Sequence, residues 1–114
     1  PASPVLLSEA AESAQSVDLI VNCTSVGMSY GSDEDGSPLT SAQIPAACLV
    51  NDLVYNPLET PLLREAASAG AVTLSGIEML VYQGAASFEM WTGRDAPVQV
   101  MLRAARTEMA SRTP

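Results

Sequence analysis

Two neutral polar side chains stand where a strand or a helix can present them to a ligand. One is the phenol of Tyr55, at the end of the apolar run 48–55. The other is the carboxamide of Gln83, the lone amide in two turns of an otherwise apolar helix. Both suit orienting a polyhydroxylated or carboxylated molecule rather than moving protons. Each also has a plainer role open to it, Tyr55 as a strand-end aromatic and Gln83 as a solvent-facing amide. Gly27 and Gly76 follow strand ends, where glycine permits positive φ or close backbone approach and where a planar ring would benefit from both. Ordinary turn glycines satisfy the same pattern.

Proton-transfer groups are scarce. The chain has 114 residues with no histidine, and its five basic residues are all arginine: Arg64, Arg94, Arg103, Arg106 and Arg112. Near neutral pH a proton would have to move through a carboxyl group or a tyrosine with a shifted pKa. Asp52 stands near a strand end, where accepting hydrogen bonds from loop backbone is the expected role. No G-x-G-x-x-G or P-loop pattern occurs, so the usual cradle for a pyrophosphate is missing. A complete dinucleotide enzyme cannot be assembled from these residues alone.

The elements that position these groups follow from patterning. The length allows one domain or part of one. An apolar share of 47% with 4% aromatic suits an aliphatic α/β protein. Ser8 can cap a helix near 8–16 with Glu9 and Glu12 in its first turn. Leu19-Ile20-Val21-Asn22-Cys23 is a short run that suits a parallel strand covered on both faces, over 18–23. Thr24-Ser25-Val26-Gly27-Met28 then forms a loop at its carboxyl end. Residues 29–37 lack apolar periodicity and read as an acidic surface loop without the spacing of a calcium loop. A helical turn over 40–44 stops at Pro45.

A second strand over 48–55 ends at Asn56-Pro57. Thr60-Pro61 starts a helix over 61–69, which Gly70 closes. The third strand spans 71–75. This order, with short connections, predicts a parallel sheet with right-handed crossovers whose first strand is an open edge. A helix over 77–91 places Ile77, Leu80, Val81, Gly84, Phe88 and Trp91 on one face, and Met79, Ala86 and Met90 make the rest apolar too. Such a helix expects cover on more than one side. A last helix over 97–109 completes a helical pair, with fraying from Thr107.

The net charge of −8 argues against nucleic acid and anionic membranes as partners. No basic leader precedes an apolar stretch, and no run approaches the roughly 20 apolar residues of a membrane span. Cys23 and Cys48 lie in apolar runs without metal-ligand spacing and read as buried free thiols. A soluble, cytoplasmic, metal-free protein is expected.

Three segments together carry a resemblance: Asp18-Leu19-Ile20-Val21-Asn22-Cys23-Thr24-Ser25-Val26-Gly27-Met28, Asp52-Leu53-Val54-Tyr55-Asn56-Pro57-Leu58-Glu59-Thr60-Pro61-Leu62-Leu63, and Gly76-Ile77-Glu78-Met79-Leu80-Val81-Tyr82-Gln83. In order and spacing they resemble the carboxyl-terminal half of shikimate dehydrogenase, from about Asp18 to Met109. That family reduces 3-dehydroshikimate with NADPH, using an amino-terminal substrate domain and a Rossmann-like cofactor domain. The resemblance implies the carboxyl-terminal half of a Rossmann-like NAD(P)-binding domain plus a carboxyl-terminal helical pair. It implies that Tyr55 and Gln83 contact shikimate. Asn22, Thr24, Ser25, Leu53 and Gly76 would then contact NADP, Leu53 through its backbone beside the nicotinamide. Cys23 replaces a small residue of the family's Asn-Ala-Thr loop, and Ser75 stands where many members have aspartate or glycine.

The family's catalytic lysine and aspartate, its carboxylate-binding serines, its glycine-rich loop and its 2′-phosphate arginine belong to segments preceding this one. No catalytic residue is therefore expected here, and the isolated chain should not turn over. Its expected partners are the substrate domain or a second copy packed over the exposed apolar helices. A non-catalytic assembly module of the same fold is the alternative.

Overall fold

The structure, a computed structural model, describes residues 2–112. Its centre is a three-stranded parallel sheet in the order β1 (Leu19–Asn22), β2 (Leu49–Asp52) and β3 (Val72–Leu74). Leu19 pairs with Leu49 and Leu49 with Val72, so alternate side chains align across all three strands. β2 is shorter than the run 48–55, because Cys48 N still bonds Pro45 O in a turn and the chain leaves the ladder after Asp52.

Among the described residues the α-helices are α1 (Ala10–Ala14), α2 (Pro61–Ala69), α3 (Gly76–Thr92) and α4 (Val98–Arg112). Before α1 comes a single tight turn, Leu7–Glu9. Ser8 lies inside that turn and is not its cap; Glu9 folds back to accept a hydrogen bond from Leu6 N at 3.1 Å. A second tight turn, Ser41–Gln43, closes the same way, with Gln43 Oε1 accepting from Thr40 N at 2.9 Å. α2 has a strong signal at each end. Thr60 Oγ1 accepts from Leu63 N, Pro61 fills the first turn, and Gly70 adopts φ +82° at the exit.

One face of the sheet carries the core. Val50 and Cys48 pack with Ala14, Leu39, Ile44, Leu62 and Ala66, and Ile20 and Ala69 seal the margin. The other face bears Leu19, Val21, Leu49, Asn51, Val72 and Leu74 and has no helix of the described chain over it. Leu19 and Val72 are 53% and 65% exposed. The expectation that β1 is covered on both faces is therefore corrected. After Gly76 the chain leaves the sheet, and α3 packs against α4 instead of returning over it.

α3 buries Ile77, Val81 and Ala85 but leaves Trp91 82% exposed, so the predicted apolar stripe ends a turn early. α4 runs antiparallel to α3: the methyl end of Met101 lies beside Gly84, and Arg106 pairs with Glu78 near the start of α3. The fraying expected from Thr107 is not observed, since α4 is helical to Arg112. The last two residues of that expectation, 113 and 114, lie outside the described residues. No described helix is long and apolar enough to cross a membrane.

Candidate functional site

The carboxyl ends of β1 and β2 open into two adjacent loops, where ligands of open parallel sheets bind. Asn22 closes β1 and is 4% exposed, with its side chain turned inward. Its Oδ1 accepts from Thr24 N at 3.0 Å and from Thr24 Oγ1 at 2.7 Å. Its Nδ2 donates to Asp52 Oδ1 at 3.0 Å and, more loosely, to Val26 O at 3.4 Å. Thr24 Oγ1 accepts in turn from Val26 N at 3.2 Å. The polar groups of Asn22 and Thr24 thus shape the loop itself.

Asp52 closes β2 and is wholly buried. Its Oδ1 accepts from Asn22 Nδ2 and from Val54 N, both at 3.0 Å, and its Oδ2 accepts from Thr60 Oγ1 at 2.6 Å. Three neighbouring donors that burial would otherwise leave poorly satisfied are paired in this way. At the rim, Ser29 N donates to Asn56 O at 2.8 Å and joins the two loops directly.

Between the loops lies a cleft of about 410 Å³. Cys23, Thr24, Ser25, Met28 and Ser29 line one wall. Leu53, Val54, Tyr55 and Asn56 line the other, and Met109 and Arg112 at the end of α4 form the third side. Cys23, expected to be buried, is exposed on this cleft because it lies one residue past the end of β1. Ser25 Oγ and the Tyr55 hydroxyl make no hydrogen bond among the described residues and remain available to a ligand. Among the described lining residues the guanidinium of Arg112 is the charged group, with Nε held by Glu108 at 2.9 Å.

The seven candidate residues divide. Thr24, Ser25, Leu53 and Tyr55 line the cleft, while Asn22 lies beneath it. Gly76 is buried against β2: a Cβ there would stand 2.5 Å from Leu53 O and 2.8 Å from Asp52 O. Its lack of a side chain is used by the protein's own backbone. Gln83 lies on α3 outside the lining, and its Nε2 donates to Leu80 O at 2.8 Å.

Met109 and Arg112 were missed by the sequence reading. The signal that could have found them is antiparallel pairing. A final helix folded back along α3 must end beside the start of α3, at the strand ends.

The comparisons with known proteins bear on the fold that carries these loops. The model of the shikimate 5′-dehydrogenase C-terminal domain matches residues 76–106, which span α3 and much of α4. The shikimate dehydrogenase (NADP(+)) of Methanopyrus kandleri is 53% identical over 87 residues, 76% of this chain and 30% of that protein. The corresponding protein of Methanocella arvoryzae is 50% identical over 95 residues, 83% of this chain and 34% of its own length. The chain matches the carboxyl-terminal portion of the shikimate dehydrogenase family. It spans about a third of the curated relatives' length. Among solved structures, shikimate 5-dehydrogenase from Thermus thermophilus, in complex with NADP(H) and shikimate, superposes with a TM-score of 0.76 at 39% identity. That superposition covers 90% of this chain and 37% of the Thermus chain. The family's parallel sheet with flanking helices is the fold seen here, and a non-catalytic assembly module is not favoured.

Proposed function

We propose that this chain is the carboxyl-terminal part of an NADP-dependent shikimate dehydrogenase, an oxidoreductase interconverting 3-dehydroshikimate and shikimate in aromatic amino-acid biosynthesis. The observation that carries the reading is identity of 50% or more to enzymes of that name over most of the chain, including both cleft loops. The chain's own residues fit one end of the cofactor. A cleft of about 410 Å³ has room for a ring and its sugar but not for a whole dinucleotide. It offers an apolar floor from Leu53, Val54, Met28 and Met109 with hydroxyls at its edges.

Thr24, Ser25 and Leu53 would hold the nicotinamide end, with Asn22 and Gly76 fixing the backbone on which they stand. When bound, the nicotinamide supplies or accepts the hydride. Tyr55, with its hydroxyl unengaged, and Gln83, through its carbonyl oxygen and second N–H, would contact the substrate. The apolar floor excludes water from the ring. Proton transfer would fall to a group outside these residues, because no lysine, histidine or carboxyl side chain is among the described residues lining the cleft. The uncovered sheet face and outer surface of α3 would be covered by the substrate domain or by a second copy, and the enzyme would be cytoplasmic.

A chimera tests this reading. Replacing the matching third of the Thermus enzyme with this chain should give a protein that oxidises shikimate with NADP⁺, while the chain alone gives no turnover. In the chimera Tyr55→Phe should raise KM for shikimate by about tenfold, the worth of one hydrogen bond to substrate. A folded chimera that binds NADP⁺ but cannot oxidise shikimate, or turnover by the chain alone, would defeat the proposal.

A further inference from the structure

Both walls of the cleft trace to one carboxyl group. From Oδ1 of Asp52 one path runs through Asn22 Nδ2 and then Asn22 Oδ1 to the amide and hydroxyl of Thr24, on the first wall. A second path from the same oxygen runs to Val54 N, next to Tyr55 on the second wall. The other oxygen is fixed by Thr60 Oγ1, the cap of α2, which lies on neither wall and is fully buried. We propose that Asp52 is a positioning residue whose carboxyl sets the two walls in register, with Thr60 fixing its rotation. The backbone bond from Leu53 N to Asn22 O at 3.0 Å already joins the strands. It does not fix the rotation of Thr24 and Val54, which the carboxyl does. That the walls receive a ligand rests on the cofactor reading given above; their coupling does not.

The two claims separate in one experiment on the chimera with the Thermus enzyme. Amide chemical shifts are measured for Thr60→Val, Thr60→Ser and Thr24→Val, with a melting curve for each. Dissociation constants for NADPH and for shikimate are measured well below the melting point. Thr60→Val removes a donor remote from the cleft. It should move the amides of Thr24, Ser25, Val54 and Tyr55 together and weaken ligand binding by about tenfold, the cost of a mispositioned site. Thr60→Ser keeps the hydroxyl and should restore both readouts. Thr24→Val should move only the first wall.

Should Thr60→Val fail to fold, Asp52→Asn serves instead. It keeps the Oδ1 acceptor but reverses the bond at Oδ2, where an amide would donate to the Thr60 hydroxyl, so a coupled shift of smaller size is expected. Perturbation confined to the first turn of α2, or walls that shift independently, would overturn the proposal. Coupled walls with unchanged affinity would overturn the positioning role alone. Coupled walls in a chimera that binds neither ligand would overturn that role together with the cofactor reading.

Discussion

The base of the cleft and the α3–α4 arm solve opposite problems. At the base, Asn22, Asp52 and Thr60 are buried polar side chains held in one connected set of hydrogen bonds. Along the arm and the open sheet face, apolar side chains meet solvent: Met79, Tyr82, Met90, Trp91 and Val100 on the helices, Leu19, Val21, Val72 and Leu74 on the strands. The polar exceptions there fare worse. Asn51 Oδ1 and Glu78 Oε2 are buried without a hydrogen-bond partner among the described residues. A finished polar network marks a region whose structure is set from within this chain. An unfinished surface marks one suited to contact with other polypeptide.

Removing the carboxyl group should break the first region most severely. Asp52→Ala strands Val54 N and the Thr60 hydroxyl and leaves Asn22 Nδ2 only its loose bond to Val26 O, and a loss of about 3–5 kcal/mol is expected on urea unfolding. For a domain of this size that approaches the whole stability. Gly76→Ala attacks the same region from the backbone side. Its Cβ would stand 2.5 Å from Leu53 O, a main-chain atom that cannot swing away. A loss of about 2–3 kcal/mol is expected, in the range of overpacked cores. A Gly76→Ala variant as stable as the parent in urea would show that β2 and α3 can separate freely.

Most of the sheet was legible because its signals are local. Thr60-Pro61 and Gly70 bracket α2, β-branched runs mark the strands, and the short connections impose parallel order. The structural role of Asp52 was legible too, since an acid at a strand end before a turn has few other uses. What stayed hidden depends on partners distant in sequence. The amide of Asn22 turns inward because its acceptor lies 30 residues on, in another strand. Cys23 is exposed because the strand stops one residue earlier than its apolar run. Apolar composition predicted cover on both faces of β1, but no pattern within a strand reveals whether a neighbouring helix will return over it. The third side of the cleft needed the antiparallel return of α4, which its own periodicity does not encode.

The smallest stability effect should come from the arm, and it separates the two regions most cleanly. Met90 and Trp91 are 83% and 82% exposed near the tip of α3, so replacing both with serine removes no buried contact. Stability should change by about 0.5 kcal/mol or less, because exposed positions away from caps and networks contribute little. Serine's weaker helix propensity lies within that margin. If the arm is an interface, solubility and association respond instead. Sedimentation at high concentration should show less self-association for Met90→Ser/Trp91→Ser than for the parent chain, with the amide shifts of Thr24 and Tyr55 unmoved. A melting temperature lowered as far as that of Asp52→Ala would show that these side chains are packed in solution, and the contrast between the two regions would fail.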